Sequence, residues 1–174
     1  MSPSRDSRAG TSPPMERFRW VRLRPLEPGE TRPALEVFAG LGSRSRELRF
    51  LAATPRVKGT LLTWLAADGH DHVALVAESG GGRAVGLAHF VRDPENHESA
   101  EVAVAVVDDW QNKGVGTLLA SALVERAQQV GVRRFTVTMR PDNEGAIRLL
   151  HRISHDPERL SIDRDVAEFA VALA

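Results

Sequence analysis

At 174 residues the chain is long enough for one domain with a substantial buried core. Its 23 basic and 23 acidic residues cancel, so no overall field draws it to nucleic acid or to an anionic membrane. It contains no cysteine, which excludes disulfides and thiolate metal sites. Charge is unevenly spread, with 12 Lys+Arg against 6 Asp+Glu in residues 1–60 and 11 against 17 thereafter. Scattered surface charge is sufficient to account for that asymmetry. No signal peptide and no apolar run of spanning length is apparent, and the expectation is a cytoplasmic protein without a membrane segment.

Residues 1–16 read as a disordered polar tail. The opening "MSPSRDSRAGTSPPM" has almost nothing to bury and cannot offset its ordering entropy. The folded domain is expected over 17–174. A first strand is expected from Phe18, with Trp20, Val21 and Leu23, ended by Pro25 and Pro28. "ETRPALEVFAGLG" predicts a short helix with Leu35, Val37, Phe38 and Leu41 roughly on one side. "SRSRELRFLAA" predicts another, carrying Leu48, Leu51 and Ala52 and capped by Ser43 or Ser45. A further turn or two of helix is expected in "KGTLLTWLAA".

The pattern then changes period. "DHVALVAESGGGRAVGLAHFVRD" predicts two strands joined at Gly80–Gly82. That triple glycine lacks the Gly-Lys-Ser/Thr of a nucleotide-triphosphate loop, which favours a hairpin turn. "SAEVAVAVVDD" predicts a third strand, with Glu101, Ala103, Ala105 and Val107 on one face and Val102, Val104 and Val106 on the other. A helix follows with Leu119, Leu123, Ala127 and Val130 at helical spacing and Gly131 as its stop. "RRFTVTM" predicts a strand. "PDNEGAIRLLHRI" predicts a helix capped by Asn143, with Ala146, Leu149, Leu150 and Ile153 inside, and the C-terminal segment two more strands. Such a mixture makes an α+β or α/β domain around one sheet.

"VVDDWQNKGVGTLL" carries the clearest chemical signal. A valine strand passes through Gln111, Asn112, Lys113, Gly114, Val115 and Gly116 into a helix start. First-turn amides lack intrahelical partners and the helix dipole is positive there. The two glycines remove side chains that would block an approaching anion, most simply a phosphate or diphosphate. A tight strand–helix turn with no ligand explains the same residues equally well.

The wider context is more specific. Gln-x-x-Gly-x-Gly after a valine strand is followed about 27 residues later by Asn-x-x-Ala-x-x-Leu-Leu. Over roughly Arg17 to Ala172 the chain resembles the GNAT family of N-acetyltransferases, and within it the bacterial protein lysine acetyltransferase domains. The resemblance implies a single α/β (α+β) domain, its central mixed and mostly antiparallel sheet flanked by about four helices. It implies acetyl-CoA as co-substrate and an amine acceptor, either a protein lysine or a small molecule, with no metal, nucleic acid or membrane partner. A homodimer is left open.

Position by position, the resemblance assigns the pantetheine arm to the backbone of Val104, Ala105 and Val106, and the diphosphate to the turn from Gln111 through Asn112, Lys113, Gly114, Val115, Gly116 and Thr117. Asn143 would bond to the cofactor or to a water near the thioester; a plain helix cap is the alternative. Glu101 occupies the place of a general base; a solvated strand-end carboxylate is the alternative. A lysine amine of pKa ~10.4 must lose a proton before it attacks, and a carboxylate can accept it. With no cysteine, an acetyl-cysteine intermediate is excluded and direct transfer remains.

The chain departs from that pattern in two places. Leu150 stands where many members have a tyrosine, and the chain has no tyrosine at all. "RISHD" replaces the usual Gly-Phe pair after the helix. Water or His151 is left to protonate the departing thiolate, though His151 reads first as a surface residue. The missing tyrosine also admits a non-catalytic acyl-CoA-binding module. A nucleotide-phosphate domain is disfavoured by the absence of a Walker lysine and a third Rossmann glycine. The six histidines show no metal-ligand spacing, and His70-Asp71-His72 reads as a loop. The acidic run Asp93, Glu95, Glu98, Glu101 reads as a solvated loop or as an attraction for a cationic substrate.

Overall fold

The computed structural model describes residues 20–50, 67–154, 156–163 and 165–173. Expectations for the tail, Phe18, Leu51, Ala52 and nearly all of "KGTLLTWLAA" fall outside these residues.

Strands β1 (Val21–Pro25), β2 (His72–Ser79), β3 (Ala84–Arg92), β4 (Ser99–Val106), β5 (Arg134–Met139), β6 (Glu158–Asp163) and β7 (Val166–Ala172) form one sheet in the order β1-β2-β3-β4-β5-β7-β6. Every neighbouring pair is antiparallel except β4 and β5. Four α-helices lie among the described residues: α1 (Arg32–Ala39), α2 (Ser43–Phe50), α3 (Val115–Gln129) and α4 (Glu144–Ile153). The architecture is the α/β domain expected, with a mixed, mostly antiparallel sheet.

Strand alternation divides the core in two. Ala74, Val76, Leu87 and Ala105 meet Ala34, Val37 and Leu41 on the α1 side. Leu75, Ala88, Phe90 and Val102 meet Leu119, Leu123 and Ala127 of α3 on the other. Gly86 lets α3 pack close to β3: a Cβ there would come within 2.8 Å of Leu119 and 3.3 Å of Val115.

Local expectations need several corrections. Pro25 is the last residue of β1, as expected, and still pairs with Leu75; β1 is an edge strand, where a missing N–H is tolerated. Trp20 precedes the strand and is exposed. Leu35 is exposed too, because Ala34, Val37 and Leu41 form the inward stripe of α1. Val107 is not part of the β4 face: the chain leaves the sheet there (φ −53°, ψ 141°) and Val107 packs beneath Gly40. His72 is not in a loop but opens β2, buried.

Candidate active site

The site begins as a fork in the sheet. Strands β4 and β5 pair only at Ser99↔Arg134, Ala100↔Phe135 and Glu101↔Thr136. Beyond that last rung β4 runs on to Val106 and β5 to Met139 without pairing to each other. The orientation of the freed backbone follows from two hydrogen bonds. Arg134 N–H donates to the Glu98 carbonyl (3.0 Å), on the β5 side, and Val107 N–H donates to the Val85 carbonyl (3.0 Å), on the β3 side. Alternation then turns the N–H and C=O of Val104 and Val106 into the fork. Ala105 turns its own peptide groups toward β3, so it contributes wall rather than donors and acceptors. An exposed strand edge is a template for an extended ligand with amide groups.

The fork widens into a cleft of about 1300 Å³. That exceeds the roughly 300–1,000 Å³ usual for drug-sized ligands, and suits a longer molecule. It is lined by Glu101 at one end and by the glycine turn and Asn143 further along.

The glycine turn shows why its residue types matter. A single 3₁₀ turn, Asp108–Trp110, leaves β4, and Asn112 then takes φ +56°, alone among the described non-glycine residues in having positive φ. Gly114 caps α3 at φ +89°, a left-handed conformation that favours glycine, and no side chain caps that helix. The amides that follow have no intrahelical partners. Gly116 differs: its φ is not positive, and an added Cβ would meet nothing nearer than Val106 at 3.7 Å. Neither conformation nor internal packing requires glycine there, which leaves space beside the cleft for a ligand. Val115 points away, buried under β3, so only its backbone is available. Gln111 is a staple: its Nε2 shares two N–H donors among the Val106 carbonyl (3.0 Å), Asp108 Oδ1 (3.1 Å) and Ser45 Oγ (3.2 Å). Lys113 Nζ lies 5.6 Å from the centre of the Trp110 ring.

Asn143 is the N-cap of α4, its Oδ1 accepting from Ala146 N–H at 3.1 Å, and it also lines the cleft. Leu150 is buried at the cleft wall, whereas His151 is exposed and outside the lining.

Glu101 is exposed on the α2 side of the sheet. The rest of its acidic run does not join it. Asp93 Oδ1 instead accepts the Glu95 amide (2.8 Å) in the β3–β4 loop, and Glu98 pairs with Arg133 (3.5 Å). What does approach Glu101 is Arg49 of α2. Arg49 Nη2 lies 3.1 Å from His89 Nε2. A guanidinium has no acceptor, so Arg49 donates and His89 accepts, which puts the imidazole proton on Nδ1. Burial first, then the charges of Arg49 and His72, hold His89 well below its usual pKa, and it is neutral. Burial lowers the Arg49 pKa to about 10, partly offset by attraction to Glu101. His89 and Glu101 are diagonal neighbours on one face, since His89 pairs with Ala103 and Glu101 with Val91. Sequence reasoning missed this arrangement because buried histidines carry no periodic signal of their own.

Comparison with known proteins decides the family. The profile of the acetyltransferase (GNAT) family matches residues 43–154. The chain belongs to the GNAT acetyltransferase family. Its GNAT domain is 33% identical over 135 residues to the acetyltransferase Pat of Mycolicibacterium smegmatis, covering 77% of this chain and 40% of that protein. The chain therefore spans less than half the length of that relative. The GNAT domain of S. lividans PAT superposes with TM-score 0.77 at 23% identity, over 88% of this chain and 90% of that one. The Salmonella typhimurium protein yncA, solved with its cofactor acetyl-CoA, superposes with TM-score 0.68 at 18% identity over 90% and 95%. At those identities the two GNAT structures establish the shared fold alone.

Proposed function

We propose that the cleft binds acetyl-CoA and transfers its acetyl group directly to a primary amine, with a protein lysine as the favoured acceptor. The observation that carries this reading is the fork: an unpaired β4 edge running from a carboxylate, Glu101, to a glycine turn at a helix start. The edge matches the amide-bearing pantetheine arm, through the N–H and C=O of Val104 and the N–H of Val106, whose carbonyl already accepts from Gln111. The Asn112–Thr117 amides match the diphosphate. Acetyl-CoA supplies the activated acetyl group and a thiolate leaving group.

The protein's own part is proton handling and orientation. Glu101 accepts the proton of the incoming ammonium, directly or through water, and the free amine then attacks. Unpaired strand amides polarise the carbonyl under attack. Leu150 offers no phenol, but a thiol of pKa ~8.5 can leave with its proton supplied by water. The lysine preference follows the sequence resemblance to bacterial protein lysine acetyltransferase domains, and a small-molecule amine is the alternative.

The test is thiol release from acetyl-CoA in the presence of lysine peptides, intact proteins and small amines. Turnover with lysine-bearing substrates is expected. Turnover with small amines alone would move the acceptor to that class, and none with any amine would leave an acyl-CoA-binding module.

A further inference from the structure

The first turns of α2 bridge the open end of the fork, in contact with the turn that follows β4 and with the loop that follows β5. On the β4 side, Ser45 Oγ accepts from Gln111 (3.2 Å), and Gly42 N–H donates to Asp108 Oδ2 (3.1 Å) just before the helix. At its C-terminal end Arg49 is bonded to His89 of the sheet. On the β5 side the connection is a closed ring of alternating charge. Arg44 pairs with Asp142, Asp142 with Arg140 (3.1 Å), Arg140 with Glu47 (3.5 Å), and Glu47 back to Arg44 (3.3 Å). Arg44 and Asp142 also line the cleft.

The two sides are built differently. The helix is attached to the sheet side at both its ends. Among the described residues, the polar contacts between α2 and the Arg140–Asn143 loop are ion pairs. Three of the four side chains are at least a third exposed. Exposed pairs are individually weak and screened by salt. The ring is therefore the yielding part of the enclosure, and releasing it parts α2 from the Arg140–Asn143 loop.

We propose that the ring of Arg44, Glu47, Arg140 and Asp142 is the latch of the cleft, whose opening sets the rate at which acetyl-CoA enters and leaves. The proposal rests on the reading that the cleft holds acetyl-CoA. A long ligand lying along β4 passes the crossbar, and the ring closes the gap between crossbar and β5.

The experiment is stopped-flow displacement of acetyl-CoA by excess CoA, with the full chain. The paired substitution Arg44→Gln with Glu47→Gln breaks three ring contacts without changing net charge. Its dissociation rate should rise about three- to tenfold at low salt, in line with the loss of exposed pairs. The gap from wild type should close at high salt, where the wild-type ring is screened as well. Asp142→Asn approaches the ring from the other side, leaves α2 untouched and should act in the same direction. A rate indistinguishable from wild type at low salt in both folded variants would overturn the latch. Failure of the wild type to bind acetyl-CoA in calorimetry is a separate result, and would remove the cofactor reading together with the latch.

Discussion

Glu101 faces Thr136 in the last rung that β4 shares with β5. The proposed base thus stands at the point where the sheet splits. Paired backbone fixes its Cα from both sides, while the next residues of β4 turn free backbone into the cleft. A carboxylate there is held by the rigid part of the sheet yet remains exposed to an incoming amine.

This placement makes Glu101→Gln a sharp substitution, because it keeps the shape and removes the basicity. Turnover should fall ~10²–10⁴-fold at neutral pH, the usual contribution of a general base. Acetyl-CoA affinity should hardly change, and the defect should shrink at high pH as more of the amine is already neutral. Near-normal turnover at pH 7 would place the base elsewhere.

The glycine turn should be sensitive for two different reasons. Gly114→Ala forces a side chain onto a residue at φ +89° and should cost stability as well as affinity. Gly116→Asp meets no such strain and should fold normally. It places a carboxylate where the diphosphate is proposed to lie, and calorimetric affinity for acetyl-CoA should collapse. Unchanged affinity in the folded variant would rule the turn out as the phosphate site.

Gly40→Ala tests how the α1–α2 turn seats on the end of β4. Its φ of −82° is open to any residue, so the constraint is space. The new methyl would fall 1.6 Å from Val107 Cγ1, a buried β-branched side chain with little freedom. Overpacking of this kind costs about 1–3 kcal/mol, which urea unfolding would register. A variant as stable as wild type would mean that the turn shifts freely.

His89 predicts an acid-side loss of stability. Its folded-state pKa is depressed, so below about pH 6.5 the unfolded chain binds a proton that the folded chain refuses. Stability should therefore be fully present above that pH and decline as pH falls below it. His89→Gln retains an acceptor for Arg49 but does not titrate. Melting temperatures from pH 7.5 to 5 should fall less steeply for this variant, and parallel curves would assign the dependence to other groups.

The elements themselves were legible in the sequence, because each depends on near neighbours. Short apolar runs on either side of Gly80–Gly82 announced β2, β3 and their hairpin turn, the two faces of "SAEVAVAVVDD" announced β4, and helical spacing announced α3; local backbone preference and burial act over a few residues. The glycine turn and the Asn143 cap were legible for the same reason, since a cap or a left-handed residue is a local demand. Glu101 could be named from its place in a motif, but not its position at the fork. Only the tertiary structure decided that β4 and β5 stop pairing after one carboxylate, that β7 lies between β5 and β6, and that Arg49 bonds to His89. It alone joined Arg44 to Asp142, 98 residues apart. Contacts at such separations leave no period in the sequence, because each partner's identity is compatible with many surroundings until packing chooses one.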